Sequence, residues 1–449
     1  MDEAVTRQKD PVVVKETGRL SVSVVETEAG LSELEQAWNL LAEKANCPVF
    51  QTYQWVRTWW DHFGRGARLY CLVFRENDIV VGIVPLLRES VRVVGIRVAT
   101  FIRFFSRKPL FYSDMVIEPG YEQVVLGSFA EHLLSVGSIW DVFEMPNIDE
   151  HFPALSALPE ILRRAGIGVH TYQTGLCSRV PLPATWDEFM KNLGGKTRHE
   201  FKRKTERMKE RFRVETEVVE CGGIEVKNAV RQMMTIHGQR WESLGFRNRY
   251  ADETEMSFIT TVAERFAELG WLRIMFMKAD GEKVAGLLNF NFGGRIYCYH
   301  ANVFGSGEMM KYSPGILLHY SAIQQGIAEG MREYDMMIGQ EDYKFSDVKS
   351  VQSHVWQIRG ISPGRTHRLR FRAYTILEIA RKGQLRIADE YHVVKRFYVT
   401  TKPSPSAMLK YVGTRIKTLW EYERKHFVKS IAGEPTAEEK KRRPPESTA

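Results

Sequence analysis

The chain is 449 residues long, 44% hydrophobic and 26% charged, with a formal net charge of +8. Those totals fit a globular protein with room for two or three cores, and two domains plus a tail are expected. A membrane span is excluded: the most apolar region, 91–105, is broken by Arg92, Arg97 and Arg103, well short of the roughly 18 uninterrupted apolar residues such a helix needs.

Residues 1–19 are expected to be flexible. The first ten carry Asp2, Glu3 and Arg7 and no apolar run, so no secretory signal is expected and the cytosol is the expected compartment. Two passes of one pattern follow. In the first, Leu20 to Thr27 alternates like a strand, and Leu31 to Ala45 has helical spacing. Gln51 to Phe63 is an aromatic helix whose Trp55, Trp59 and Trp60 form a core stripe. Arg68 to Arg75 and Ile79 to Leu87 read as strands joined by the polar turn Glu76-Asn77-Asp78. An extended region near 96–105, a helix over 121–134, a strand over 140–145, a helix near 154–164 and a strand over 168–179 complete the pass.

The second pass begins with a charged helix over 186–211, a strand over 214–219 and helices over 224–244 and 253–269. Strands over 272–278 and 283–292 are joined through Asp280-Gly281, a strong hairpin signal. Arg295 to His300 alternates and is rich in aromatic residues, so it reads as a strand. Ser313-Pro314-Gly315 then opens a helix over 316–329: proline suits the first helical position, and Ile316, Leu317, Tyr320, Ile323 and Ile327 recur at helical spacing before Gly330. Tyr334-Asp335 leads to Gly339, and a last strand lies near 354–359. The repeat implies two similar α/β domains, 20–182 and 183–361, side by side around a cleft.

Residues 362–432 form a basic helical extension. From Arg359 to Lys429 there are 17 Lys and Arg against 5 Asp and Glu, which fits an anionic membrane surface, a polyanionic polysaccharide or nucleic acid, or else a solvated helical face. Residues 433–449 have almost no apolar content and are expected to be a disordered tail. Cys47, Cys71, Cys177, Cys221 and Cys298 are odd in number and scattered, so they read as reduced core thiols, and no zinc site is expected.

The strand, turn and helix from 295 to 329 make a candidate ligand-binding crossover. The N–H groups and partial positive charge of a helix start favour an anion such as a pyrophosphate, and Gly315 permits close approach to the backbone.

Several segments resemble the CelD/BioF-like acetyltransferases of the GNAT superfamily, relatives of the FemAB aminoacyl transferases with two GNAT units in tandem. The markers are Phe50-Gln51-Thr52 with Trp55, Trp59 and Trp60; Val81 to Leu86; Lys196-Thr197-Arg198 with Arg203-Lys204; His237 with Arg240-Trp241; Asp280-Gly281 with Val284-Ala285; Ser313-Pro314-Gly315; and Tyr334-Asp335 with Gly339, Glu341, Tyr343 and Lys344. The resemblance spans about 20–360 and implies two tandem GNAT-like α/β domains with mixed central sheets, the second carrying the active site. It further implies transfer of an acetyl or other acyl group from acyl-CoA to an amine or hydroxyl of a sugar or cell-envelope precursor, without a metal. The glycine-spaced pyrophosphate loop usual in GNAT proteins is absent, and Lys311-Tyr312-Ser313-Pro314-Gly315 stands in its place.

Acyl transfer from a thioester needs a base for the acceptor, a donor to the carbonyl oxygen and a proton for the thiolate. His237 suits the base by its ordinary pKa near 6.5, and Glu341, just past a strand end, is an equal candidate. The GNAT resemblance gives Tyr343 the role of protonating the sulfur. Tyr312, Ser313, Gly315, Ile316 and Lys344 are the donor-binding candidates, with Lys344 meeting a phosphate or an acceptor carboxylate. The basic run from Lys196 to Arg207 would hold CoA phosphates, or tRNA or a lipid-linked pyrophosphate in a FemAB-like aminoacyl transferase; Glu200, Glu206 and Glu210 also allow a solvated, ion-paired helix. A non-catalytic accessory protein of polysaccharide synthesis or export is the alternative from another class.

Overall fold

The structure, a computed structural model, describes residues 20–93, 95–105, 112–243, 248–304, 307–339, 343–344, 348, 350–378, 404, 406 and 408. The expectations for 1–19, for the extension past 378 apart from 404, 406 and 408, and for the 433–449 tail lie outside the described residues.

The first half runs β1 (Ser21–Val25), α1 (Glu28–Glu33), α2 (Glu35–Ala45), α3 (Tyr53–Phe63), β2 (Arg68–Leu69), β3 (Cys71–Glu76), β4 (Ile79–Val84), β5 (Leu86–Val93), β6 (Ile96–Phe104), β7 (Val116–Ile117), α4 (Glu122–Ser135), β8 (Val142–Asp149), α5 (Pro153–Arg164) and β9 (Gly168–Pro181). The second runs α6 (Trp186–Asn192), α7 (Gly195–Arg211), β10 (Val214–Val219), α8 (Ile224–Ser243), α9 (Glu253–Glu268), β11 (Leu272–Ala279), β12 (Glu282–Phe292), β13 (Arg295–Val303), α10 (Pro314–Ala328), β14 (Glu333–Ile338) and β15 (Val351–Ile361).

Both hairpin signals hold for a stated reason. Asn77 and Asp78, and Asp280 and Gly281, all take positive φ, the conformation that turns one twisted strand tightly onto the next. Two expected elements are each divided. The strand over 79–87 breaks at Pro85, whose missing N–H cannot serve a ladder, so β4 joins a four-stranded sheet and β5 a larger one. The charged helix over 186–211 breaks at Leu193-Gly194, both extended, and Gly194 caps α7.

The smaller sheet has the order β1-β3-β4-β7, and the larger is β10-β11-β12-β13-β14-β9-β15-β8-β6-β5-β2. The larger sheet therefore draws strands from both halves, while the smaller belongs to the first half alone. Their last strands trade places: β9 pairs antiparallel with β14 of the second half, and β15 pairs antiparallel with β8 of the first. β9 and β15 pair with each other from Val351↔Arg179 to Ile361↔Gly168.

Trp38, Trp55 and Trp59 are buried with α8 and α9 residues such as Met233, Phe258 and Phe266 in one core, so the tryptophan stripe is packing. A second core lies under α4 and α5, and a third joins α6, α7 and α10 to β11–β14. Residues 365–378 are helical and lay Phe371 and Tyr374 on Ala99, Phe101 and Val142. Four of the cysteines are buried thiols, but Cys221 is exposed, because it lies in the polar link between β10 and α8 rather than on a core face. Among the described residues no helix is long and apolar enough to cross a membrane.

Candidate active site

β13 and β14 are parallel neighbours for only three pairs, Arg295↔Glu333, Ile296↔Tyr334 and Tyr297↔Asp335. Both strands then continue apart, β13 to Val303 and β14 to Ile338, leaving a notch in the sheet. Two irregularities shape its walls. The register of β12 on β13 slips between Leu288 and Asn289, making Tyr299 an extra residue on β13, and such bulges re-aim side chains. On β14, Met337 has a φ of 61° and its N–H bonds to the Asp335 carboxylate at 2.7 Å.

α10 begins beside the notch. Its cap, Ser313, takes a left-handed conformation at φ 54°, and the Lys204 ammonium of α7 donates to the Ser313 hydroxyl at 3.0 Å. A cation thus stands at the positive end of a helix dipole, where both favour an anion. Gly315 has a packing reason as well: a Cβ there would lie 2.9 Å from Val303 Cγ2. The Ile316 N–H is taken by the Ser313 carbonyl at 2.9 Å. Tyr312 is half-buried, edge-on to Phe212 at 6.0 Å.

Tyr343 and Lys344 fold over α10. Tyr343 stacks on His319 with centroids 5.7 Å apart, and Lys344 is only 4% exposed. His319 is itself buried and bonds through Nδ1 to the Tyr334 hydroxyl at 2.7 Å. Burial first, and the Lys344 charge second, push its pKa down to about 3, so the ring is neutral. Glu341 lies outside the described residues.

On the other face of β13, His237 of α8 lies against the strand past its bulge. Its Nδ1 is 2.9 Å from Asn302 Oδ1, and the Asn302 amide donates to the Met233 carbonyl at 3.0 Å. The Tyr250 hydroxyl bonds His300 Nε2. The His237 ring centroid lies 4.9 Å from that of His300 and 5.7 Å from that of Tyr250. Gly238 lets Tyr250 sit there, since a Cβ on it would collide with the Asn248 carboxamide that receives the Tyr250 N–H. The sequence reading named His237 but not its neighbours Tyr250, His300 and Asn302; the histidine ending an aromatic strand was the available signal.

The predicted residues thus form two groups: Ser313, Gly315 and Ile316 at the α10 start with Tyr312 before it, and Tyr343 with Lys344 over His319. His237 stands on the opposite sheet face. A further charged cluster joins the halves. Arg179 on β9 bonds Asp149 at 2.5 Å and Asp335 at 3.3 Å. Ser353 and Cys177 also donate to Asp149, and Tyr112 to Asp335.

Residues 195–345, about a third of the chain, match the family model of the Acetyltransferase (GNAT) domain. Among solved structures, FemX aligns with a TM-score of 0.53 at 12% identity, over 72% of this chain and 95% of that one. A conserved protein of unknown function from Bacteroides thetaiotaomicron VPI-5482 aligns at 0.46 and 10% identity, over 76% of this chain and 100% of that one. A tandem GNAT protein from the clavulanic acid biosynthesis pathway aligns at 0.42 and 11% identity, over 77% of this chain and 100% of that one. None of the curated proteins matches the sequence. The second half therefore carries a GNAT acetyltransferase domain, which makes the protein an acyltransferase. Its overall fold is that of FemX.

Proposed function

We propose that the protein moves an acetyl or other acyl group from acyl-CoA to an amine or hydroxyl of a sugar or cell-envelope precursor, at the notch between β13 and β14. The observation that carries this reading is the parting of those strands beside the α10 start, where Lys204 and Ser313 meet. The CoA pyrophosphate would lie at that helix tip, supported by its dipole and the Lys204 charge in place of a glycine loop. Its pantetheine arm would follow β13 toward the bulge at Tyr299. His237, or Glu341, takes the acceptor's proton, and Tyr343 supplies one to the departing sulfur. In this reading 183–361 holds the chemistry and 20–182 forms the facing wall. The basic extension after 361 would bring the enzyme to an anionic membrane face.

The FemX-like fold favours a second reading, in which the donor is an aminoacyl carrier and the basic face of α7 meets its phosphates. Calorimetry with acetyl-CoA and radiolabelled transfer to amino sugars test the first reading. Acetyl-CoA binding with label transferred is expected. Absence of binding by any acyl-CoA sinks it, and charged tRNA is then the donor to try.

A further inference from the structure

Past β15 the chain carries a surface that acyl transfer does not use. Residues 365–378 form a helix whose inner side is fixed to the larger sheet along its length. Phe371 stacks on His170 at 5.9 Å, and Tyr374 meets Phe101 edge-on at 4.7 Å. His367 and Arg370 both reach the Asp141 carboxylate, at 2.7 and 3.3 Å, and Arg359 holds Glu378 at 3.4 Å. With 367, 370, 371, 374 and 378 turned inward, helical spacing turns Arg365, Arg368, Leu369, Arg372, Ile376 and Leu377 outward. All six are exposed, Leu369 by 64% and Ile376 by 53%. Glu378, the only acid in this helix, is on the inner side. Single exposed aliphatic residues need no explanation, but three on one face beside three arginines do.

A stretch far away in sequence faces the same way. β5 and β6 meet in a hairpin at Gly95, and Val91 of β5 packs with Phe371 and Tyr374 against Ala99, Phe101 and Val142. The helix therefore lies on the Val91 face of the sheet. Val93, two residues on, shares that face, and Ile96 is its cross-strand partner. Both are exposed, Ile96 by 72%, and the exposed Arg92 and Arg97 flank them. No Asp or Glu occurs from Ser90 to Arg103.

We propose that the outer face of the 365–378 helix and the tip of the β5–β6 hairpin form one docking surface for an anionic lipid bilayer. Its arginines meet the phosphate headgroups, and its aliphatic side chains enter between them. The proposal rests on the reading that the basic extension brings the enzyme to a membrane, and it names the surface that touches the lipid; it is independent of the acyl donor and acceptor. Charge and apolarity together select a bilayer over a soluble polyanion. A polysaccharide or nucleic acid backbone is met by cations, and exposed leucine and isoleucine gain little from it, whereas at a bilayer they leave water. Arginine serves both parts, with a planar fork for phosphate and a stem that lies along apolar surface.

The first test sediments the full chain with vesicles of phosphatidylglycerol and phosphatidylcholine in equal parts, and with phosphatidylcholine alone. Binding to the first kind, weakened by added salt, is expected, and little to the second. The pair Arg368→Gln and Arg372→Gln should weaken binding at least tenfold, since each basic residue near such a surface contributes about fivefold. The pair Leu369→Ser and Ile376→Ser should weaken it as well. Binding kept in both pairs but lost in Lys395→Gln with Arg396→Gln overturns the proposal and leaves the membrane reading standing. A wild type that binds neither vesicle overturns both. Loss in the arginine pair alone, with tight binding to heparin, assigns the surface to a soluble polyanion and overturns the bilayer.

The second test reads contact directly and removes no arginine. A nitrobenzoxadiazole label on Leu369→Cys or on Ile96→Cys, each in a Cys221→Ser background, should brighten and shift to the blue when the phosphatidylglycerol vesicles are added. The same label on Cys221 of the wild type should not respond, because this exposed thiol follows β10, at the opposite end of the larger sheet from β5 and β6. An unchanged signal at both new positions, in protein that sediments with the vesicles, overturns the proposal.

Discussion

Replacing Arg179 with methionine is expected to destabilise the fold by about 3–5 kcal/mol, the usual cost of breaking a buried ion pair by removing one partner. Asp149 is 0% and Asp335 1% exposed, and both lean on this one guanidinium. The loss is not doubled. Asp149 keeps Ser353, Cys177 and the His151 backbone N–H, and Asp335 keeps Tyr112 and the Met337 N–H. Burial alone would raise the Asp149 carboxyl, but the Arg179 bond and charge hold it well below the usual range. Burial raises Asp335 despite Arg179. The signs follow. Asp149 contributes stability above its unfolded pKa of about 3.9 and loses it as pH falls through its folded value. Without Arg179 both carboxyls rise, so the variant's deficit should be largest near pH 7 and shrink toward pH 4. Urea denaturation across that range is the assay. Adding Asp149→Asn and Asp335→Asn should recover most of the loss, because no buried charge is then stranded. An Arg179→Met variant within about 1 kcal/mol of wild type at pH 7, well under the cost of breaking a buried pair, would refute the reasoning.

Lys204→Ala should raise the KM for acetyl-CoA several-fold with kcat nearly unchanged, as expected for a group that holds the donor without joining the chemistry; steady-state kinetics check this. His319, buried and neutral with its pKa near 3, should lower stability as pH falls below its unfolded value of about 6.5, by about 1.4 kcal/mol per unit. The slope between pH 6 and 4.5 should flatten in His319→Gln, and an NMR titration showing an imidazolium at pH 5 would contradict it. Gly281→Ala, at a φ of 87°, should cost about 1–2 kcal/mol through left-handed strain in the β11–β12 turn, read by urea denaturation.

Local elements were legible because their signals are local. Asp280-Gly281 marks its own turn, and Pro314 starts its own helix. The exchange of β9 and β15 was not legible, since both read as ordinary strands and their partners are set by register over nearly 200 residues of separation. Tyr250, His300 and Asn302 were missed for a related reason. No spacing along the chain ties them to His237; the β13 bulge and the Gly238–Asn248 contact do. Arg179, Asp149 and Asp335 sit on three strands, and only folding shows that they share a charge.

If the second half holds the chemistry, as proposed, the shared sheet shows how the halves differ at matching places. Each half has a three-pair parallel contact, Phe101↔Val142 to Arg103↔Glu144 in the first and Arg295↔Glu333 to Tyr297↔Asp335 in the second. In the first half β6 ends at Phe104, one residue past its contact. Near that contact Phe105 packs edge-on to Trp59 at 5.3 Å, Tyr112 lies against Phe152 at 6.1 Å, and Asp149 is bound to Arg179. In the second half β13 runs on to Val303 and carries the part-exposed His300 and the buried Asn302 past its bulge. The halves repeat the three-pair contact but not the strand lengths past it, and on the proposed reading that difference sets the second-half notch apart from the first-half contact, which Arg179 ties into the joint between the halves.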